Sequence, residues 1–176
     1  MASKGMLGRE IIENYKVRPA TMWFEIDASG IKIKLQINGY KPASKDDWYS
    51  EWCNCDFLFS SGEWLNYHKE DDEVLLSAEV EGLANALSDL LDNKLSEETE
   101  ISCIEPDFVF TLYPQKDLRN DPKYTYIRPG CEIQDIYLEW KIYFWNQGLT
   151  ENYLTITLYR DDIERLRDYL SLVINQ

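Results

Sequence analysis

Residues Gly39 to Phe59 read GYKPASKDDWYSEWCNCDFLF. The second half of this stretch alternates without a break: Cys53, Cys55, Phe57 and Phe59 fall on one side, and Trp52, Asn54, Asp56 and Leu58 on the other. A period of two places successive side chains on opposite faces of an extended strand, so this segment is a strand with one strongly apolar face. Such a face has to be buried against another layer. The first half is turn chemistry, with Gly39 and Pro42 leading to two tryptophans four residues apart, Trp48 and Trp52.

Upstream, Met22, Phe24 and Ile26 alternate with Trp23, Glu25 and Asp27. Ser29-Gly30 then turns the chain into Ile31, Ile33, Leu35 and Ile37, which alternate with Lys32, Lys34, Gln36 and Asn38. This is a β-hairpin with one wet face. Residues 1–20 form an N-terminal extension expected to be partly ordered, with Pro19 ending any short helix. A single α+β domain is expected over 21–176.

Downstream, Ser60-Ser61-Gly62 closes the strand and a partner strand is expected over Glu63 to Tyr67, ahead of the acidic run Glu70-Asp71-Asp72-Glu73. Ser77 is the expected cap of a helix over about 77–92, with Val80, Leu83, Ala84, Leu87, Leu90 and Leu91 on one stripe. Between Ile101 and Tyr113, Pro106 bends or interrupts the strand. The longest loop, 114–133, is expected to be functional or mobile. Two further strands carry Ile136, Leu138, Trp140, Ile142 and Phe144, then Leu154, Ile156 and Leu158. A final helix over about 161–174 repeats the spacing of the first, Ile163, Leu166, Leu170, Val173 and Ile174. The expected fold is thus α+β, with antiparallel β-sheet layers of about seven to eight strands and two amphipathic helices. The parallel between the halves is either a duplication or the common grammar of a helix packed on a sheet.

At 176 residues the chain is long enough to bury a core without staples. It carries no run of about 20 apolar residues and no signal-peptide pattern, which makes a cytoplasmic protein without membrane association the expectation. Four cysteines stand at 53, 55, 103 and 131. Cys53 and Cys55 read as small core hydrophobes, and a metal set of Cys53, Cys55, Cys103 and His68 is the weaker alternative because structural zinc favours paired C-x₂₋₄-C spacing. No metal or other cofactor is expected.

The net charge of −14 is uneven: from Lys41 to Glu100 sixteen acidic residues face four lysines and no arginine, leaving −12 in that third of the chain. Nucleic-acid binding needs the opposite sign, so a basic partner is expected, unless the charge serves solubility alone. The chain has one histidine, His68, and no nucleophile elbow, phosphate loop or zinc-protease motif, so an enzyme is not expected. Alternation also places Tyr137, Glu139, Lys141, Tyr143, Trp145, Tyr153, Thr155, Thr157 and Tyr159 opposite the core, with Trp23 and Tyr113. A helix or the 114–133 loop covers these rings, or they form a contact surface.

Several of these residues together carry a family resemblance. Gly39-Tyr40, Trp48, Trp52, Ser77 and Glu105-Pro106 stand where the WapI-type immunity proteins have a glycine–tyrosine turn, two tryptophans four apart, a capped helix and a Glu-Pro turn. Tyr49 replaces that pattern's aspartate and Glu51 its asparagine, while Cys53 and Cys55 replace leucine and valine. The resemblance spans roughly residues 22–175. It implies a cytosolic immunity protein that binds and occludes a cognate bacterial toxin domain. The acidic middle third makes a nuclease the first toxin class expected, because nucleases are basic where they hold phosphates. The expected toxin-binding residues are Asp46, Asp47, Tyr49, Glu51, Glu70, Asp71 and Asp72, with Trp48 and Trp52 as structural pillars. The competing expectation is a small-ligand-binding module with a pocket, or an interface, at Tyr137, Tyr143, Trp145, Tyr153 and Tyr159.

Overall fold

The computed structural model describes residues 22–42 and 51–176. The expectations for residues 1–20, Trp48, Asp46, Asp47 and Tyr49 lie outside the described residues.

Strands β1 (Phe24–Ala28) and β2 (Ile31–Asn38) form the expected hairpin. Its turn places Ser29 and Gly30 at φ of 56° and 86°, and the Asp27 carboxylate accepts from the Gly30 N–H at 2.7 Å. Positive φ at both central residues matches the twist of the flanking strands. Strand β3 (Trp52–Ser61) pairs with β2 on one side and with β4 (Leu65–Leu76) on the other, giving a four-stranded antiparallel meander. Strand β4 corrects the sequence reading. It does not stop at Tyr67 but runs on through the whole acidic segment, and it does so by bulging at Asp71, whose φ is +52°. The bulge is fixed by the Asp56 carboxylate, which accepts from Asp71 N at 2.6 Å, and by Asn54 Nδ2, which donates to Asp71 Oδ1.

Helix α1 (Ser77–Leu91) follows β4 without a connecting residue. Ser77 is its first helical residue rather than its cap: the side chain is buried, 3.5 Å from Cys53 Sγ. Capping comes from Glu79, whose Oε2 accepts from Leu76 N at 2.8 Å while Oε1 accepts from Ile104 N at 2.6 Å. One carboxylate therefore ties the helix start to the next turn.

Pro106 interrupts the following strand, giving β5 (Thr99–Ser102) and β6 (Phe108–Tyr113) paired across the 103–107 turn. The 114–133 loop holds a short ladder of β7 (Lys116–Asp117) with β8 (Ile133–Gln134) and a 3-10 turn at Leu118–Asn120. Strands β9 (Tyr137–Trp145) and β10 (Leu149–Tyr159) complete a second sheet of order β10-β9-β6-β5, and α2 (Arg160–Ile174) again follows its strand directly. Apart from the β7–β8 ladder there are eight strands, within the expected seven to eight. Both halves thus run as four meandering strands and a helix, in the same order.

The two sheets and two helices share one core. Phe57 and Phe59 of β3 meet Phe108 of β6 and Trp140 of β9, with centroids 5.1 Å apart for Phe57–Phe108 and 5.7 Å for Phe59–Trp140. Trp140 also stands edge-on to Phe108 at 5.2 Å. Edge-to-face contacts of this kind add to the area term of burial. The helices pack on each other and on both sheets, α1 against β4 and β6, α2 against β1, β9 and β10. Cys53 and Cys55 are fully buried in this core, as read from the sequence, and both thiols are pushed up in pKa, by burial above all.

Candidate functional site

The acidic residues of β4 occupy a bulged edge. Glu70, Asp71 and Glu73 are exposed, Asp72 is half-buried and Glu51 stands half-buried just before β3, 3.8 Å from the Lys41 ammonium. Asp71 is engaged by Asn54 and Asp56, and Asp72 accepts an ion pair from Lys69 at 2.6 Å. Glu70, Asp71 and Asp72 are therefore gathered along one stretch of strand, with Asp71 and Asp72 also fastened to the scaffold, while Glu51 stands apart beside the start of α1.

Lys69 is the pivot. It follows Leu65 and Tyr67 on the inward face of β4 and its ammonium reaches Asp107 Oδ1 at 2.8 Å, across to the second sheet. Asp107 is buried, and its carbonyl accepts from Tyr143 N at 2.9 Å. Burial lifts the Asp107 carboxyl above the ordinary aspartate range, against the opposing pull of Lys69. Burial works against the Lys69 ammonium too, but its bonds to Asp107 and Asp72 outweigh it and raise the pKa. The unequal burial of the two side chains, 19% exposed for Lys69 and 3% for Asp107, explains why the carboxylate bears the larger desolvation. The same ammonium lies 4.7 Å from the centre of the Trp145 ring. Tyr67 beside it accepts from Trp145 N at 3.3 Å and packs edge-on against Phe144 at 4.9 Å.

The second sheet carries Tyr137, Glu139, Lys141 and Tyr143 of β9 on its outer face. Both helices lie on its inner side, so the coverage by a helix that alternation left open is not what this fold provides. Register sets Tyr153 beside Tyr143, Thr155 beside Lys141, Thr157 beside Glu139 and Tyr159 beside Tyr137. Tyr113 and Tyr137 stack at 4.2 Å with planes 6° apart, and Tyr113 Oη donates to Glu139 at 3.2 Å. The Tyr113 hydroxyl is pushed up to about 12 by burial and then by the charges of Glu139 and Glu98. Lys141 leans over Tyr153 at 4.8 Å and Tyr143 at 6.0 Å. Tyr153 and Tyr159 are 52% and 65% exposed, while Tyr113, Tyr137 and Tyr143 are half-buried, with Tyr124 of the 114–133 loop close enough to Tyr137 to raise its pKa.

Lys69 links one member of each of the two residue sets that the sequence held apart as rivals: it pairs with Asp72 and lies over the Trp145 ring. Tyr137 and Tyr159 also border an open groove of about 660 Å³ with Asp135, Arg160 and Asp161, in which Arg160 is held by Asp135 at 2.6 Å. Sequence reasoning missed Lys69 and Asp107. Their signal was present in the alternation Leu65, Tyr67, Lys69, which puts a cation on a face that must be buried and so demands a carboxylate partner. Among the described residues no three His, Cys, Asp or Glu side chains gather as metal ligands, and Cys103 and His68 lie apart from the Cys53–Cys55 pair.

A family model for the immunity protein WapI-like family matches residues 23–176, nearly the whole chain. The chain belongs to the WapI-like immunity proteins. No curated protein and no solved structure matches it. Family membership gives the chain an immunity function, and the residues that carry its sequence resemblance now have places in the fold. Gly39 has a φ of +69° where β2 ends, Trp52 opens β3 and Glu105-Pro106 forms the turn before β6. These WapI-type positions shape turns and strand starts, whereas the acids and tyrosines above lie on the surface between them. No described helix is long and apolar enough to cross a membrane.

Proposed function

We propose that this protein is a cytoplasmic, non-enzymatic immunity protein that binds a cognate toxin domain and occludes its active site or substrate path. The family supports the immunity role, and the observation that supports this mode of binding is the set of acids at the β4 edge, with Glu70, Asp71 and Glu73 exposed and Asp72 half-buried. Glu51, Glu70, Asp71 and Asp72 are acidic contacts for the toxin in our reading, and Asp46, Asp47 and Tyr49, which lie outside the described residues, are proposed as contacts from the sequence alone. Their potential steers association toward a basic toxin, and opposite potentials act mainly on the on-rate. A nuclease whose phosphate-binding groove is basic is the toxin class that suits this sign.

The test is to look for a toxin domain encoded immediately upstream of this chain and to co-express that domain with it. The expected result is restored growth, a stoichiometric complex and loss of nuclease activity in the purified mixture. Growth arrest that persists despite abundant soluble immunity protein rejects the proposal.

A further inference from the structure

We propose that the outer face of the β10-β9-β6-β5 sheet is the anchoring half of the interface, built to hold arginine and lysine side chains of the toxin domain. This inference rests on the immunity reading above and deepens it.

Three observations carry it. First, the face is aromatic where a merely solvated face would not be: one row across the sheet is Tyr159, Tyr137 and Tyr113, and a second is Tyr153 and Tyr143. Rigid rings with a polar tip lose little conformational freedom when docked, which is why tyrosines dominate interface anchors. Second, carboxylates outnumber cations between and beside the rows, where Lys141 faces Glu139 and Glu100. Glu139 lies between Thr157 and Thr111, and Thr111 pairs in turn with Glu100 of β5, while Tyr113 feels the charge of Glu98. Third, the sole cation in these rows, Lys141, sits over the Tyr153 and Tyr143 rings. The protein thus fills one of its own ring sites with an ammonium, which shows that the spacing of these tyrosines suits a cation. The Tyr159, Tyr137 and Glu139 part holds no such internal lysine among the described contacts.

Tyrosine faces beside carboxylates fit a guanidinium, which stacks on the ring while its N–H groups bond the carboxylate. The anionic surplus disfavours a nucleic acid strand, and a neutral sugar would use the rings but not the carboxylates. A cationic protein surface uses both. Divided in this way, the β4 edge governs how fast the toxin arrives and the tyrosine face governs how long it stays.

The experiment measures association and dissociation rates of the full chain with the upstream-encoded toxin domain, by surface-based kinetics at two salt concentrations. Glu139→Gln, Tyr153→Ala and Tyr159→Ala are expected each to raise the dissociation rate about tenfold, with association changed less than threefold. Glu70→Gln with Glu73→Gln is expected to slow association and flatten its salt dependence, leaving dissociation unchanged. Hydrogen exchange of the unmutated chain is expected to show new protection at 137–143 and 153–159 on binding. A tight wild-type complex whose dissociation ignores all three face variants, or whose protection lies elsewhere, overturns the inference and leaves the immunity reading intact. A wild-type chain that neither rescues growth nor binds the domain overturns both.

Discussion

Lys69 makes two kinds of contact at once, ion pairs with Asp72 and buried Asp107 and a cation–π contact with Trp145. Removing one partner of a buried pair is costlier than removing both, because the survivor keeps its desolvation with nothing to offset it. Lys69→Met is therefore expected to destabilise the fold by about 3 kcal/mol, and Lys69→Met with Asp107→Leu by only about 1 kcal/mol, both read from urea denaturation. A double variant as unstable as the single one would show that the pair is not where the energy lies. Tyr169 presents a simpler case. Its hydroxyl accepts from Ile37 N at 2.7 Å, at a point on β2 beyond the first residue of β1. Tyr169→Phe orphans that buried N–H and is expected to cost about 2 kcal/mol in the same assay.

At the level of elements, each helix begins where a strand ends, so the first turn cannot rely on a loop to orient it. In α1 the task falls to Glu79, which accepts from Leu76 N and Ile104 N together. Glu79→Ala removes an acceptor from both and is expected to lower stability by about 1–2 kcal/mol. It should also speed amide exchange at Leu76 and Ile104, which reads the local effect apart from the global one. Glu79→Gln keeps one acceptor oxygen and is expected to recover part of the loss. The helix stripes were legible in the sequence because Val80, Leu83, Leu87 and Leu90, like Ile163, Leu166, Leu170 and Val173, all end in the core. The cap was not, since a serine ahead of an apolar stripe is a good cap by propensity, whereas here β4 hydrogen bonding extends up to Leu76 and carries Ser77 indoors.

At the level of the molecule, the phenolic groups report how the layers close. Tyr40, Tyr113 and Tyr169 are each pushed up to about 12, burial being the first cause for all three. A tyrosine titrates near 10 when unfolded. Because the folded protein holds these protons more tightly, their contribution is complete below pH 10 and is lost as pH rises toward 12. Absorbance titration at 295 nm, compared with Tyr→Phe variants at these positions, is expected to show Tyr40, Tyr113 and Tyr169 ionising late, with unfolding setting in over that window. If these three titrate near pH 10 while the fold persists, the closed packing around them is wrong.

The sequence by itself determined the strands and helices, the one-sided burial of each and the identity of the core, because periods of two and 3.6 follow from backbone geometry and need no knowledge of neighbours. It also carried the family, through Gly39-Tyr40, Trp52 and Glu105-Pro106, since turns and strand starts are local. What only the tertiary structure decided was adjacency. The bulge that keeps the acidic run in β4 depends on Asn54 and Asp56 of the neighbouring strand, and the reach of Lys69 to Asp107 and Trp145 depends on how two separate meanders pack against each other. Those contacts span tens of residues along the chain and leave no periodic trace in it.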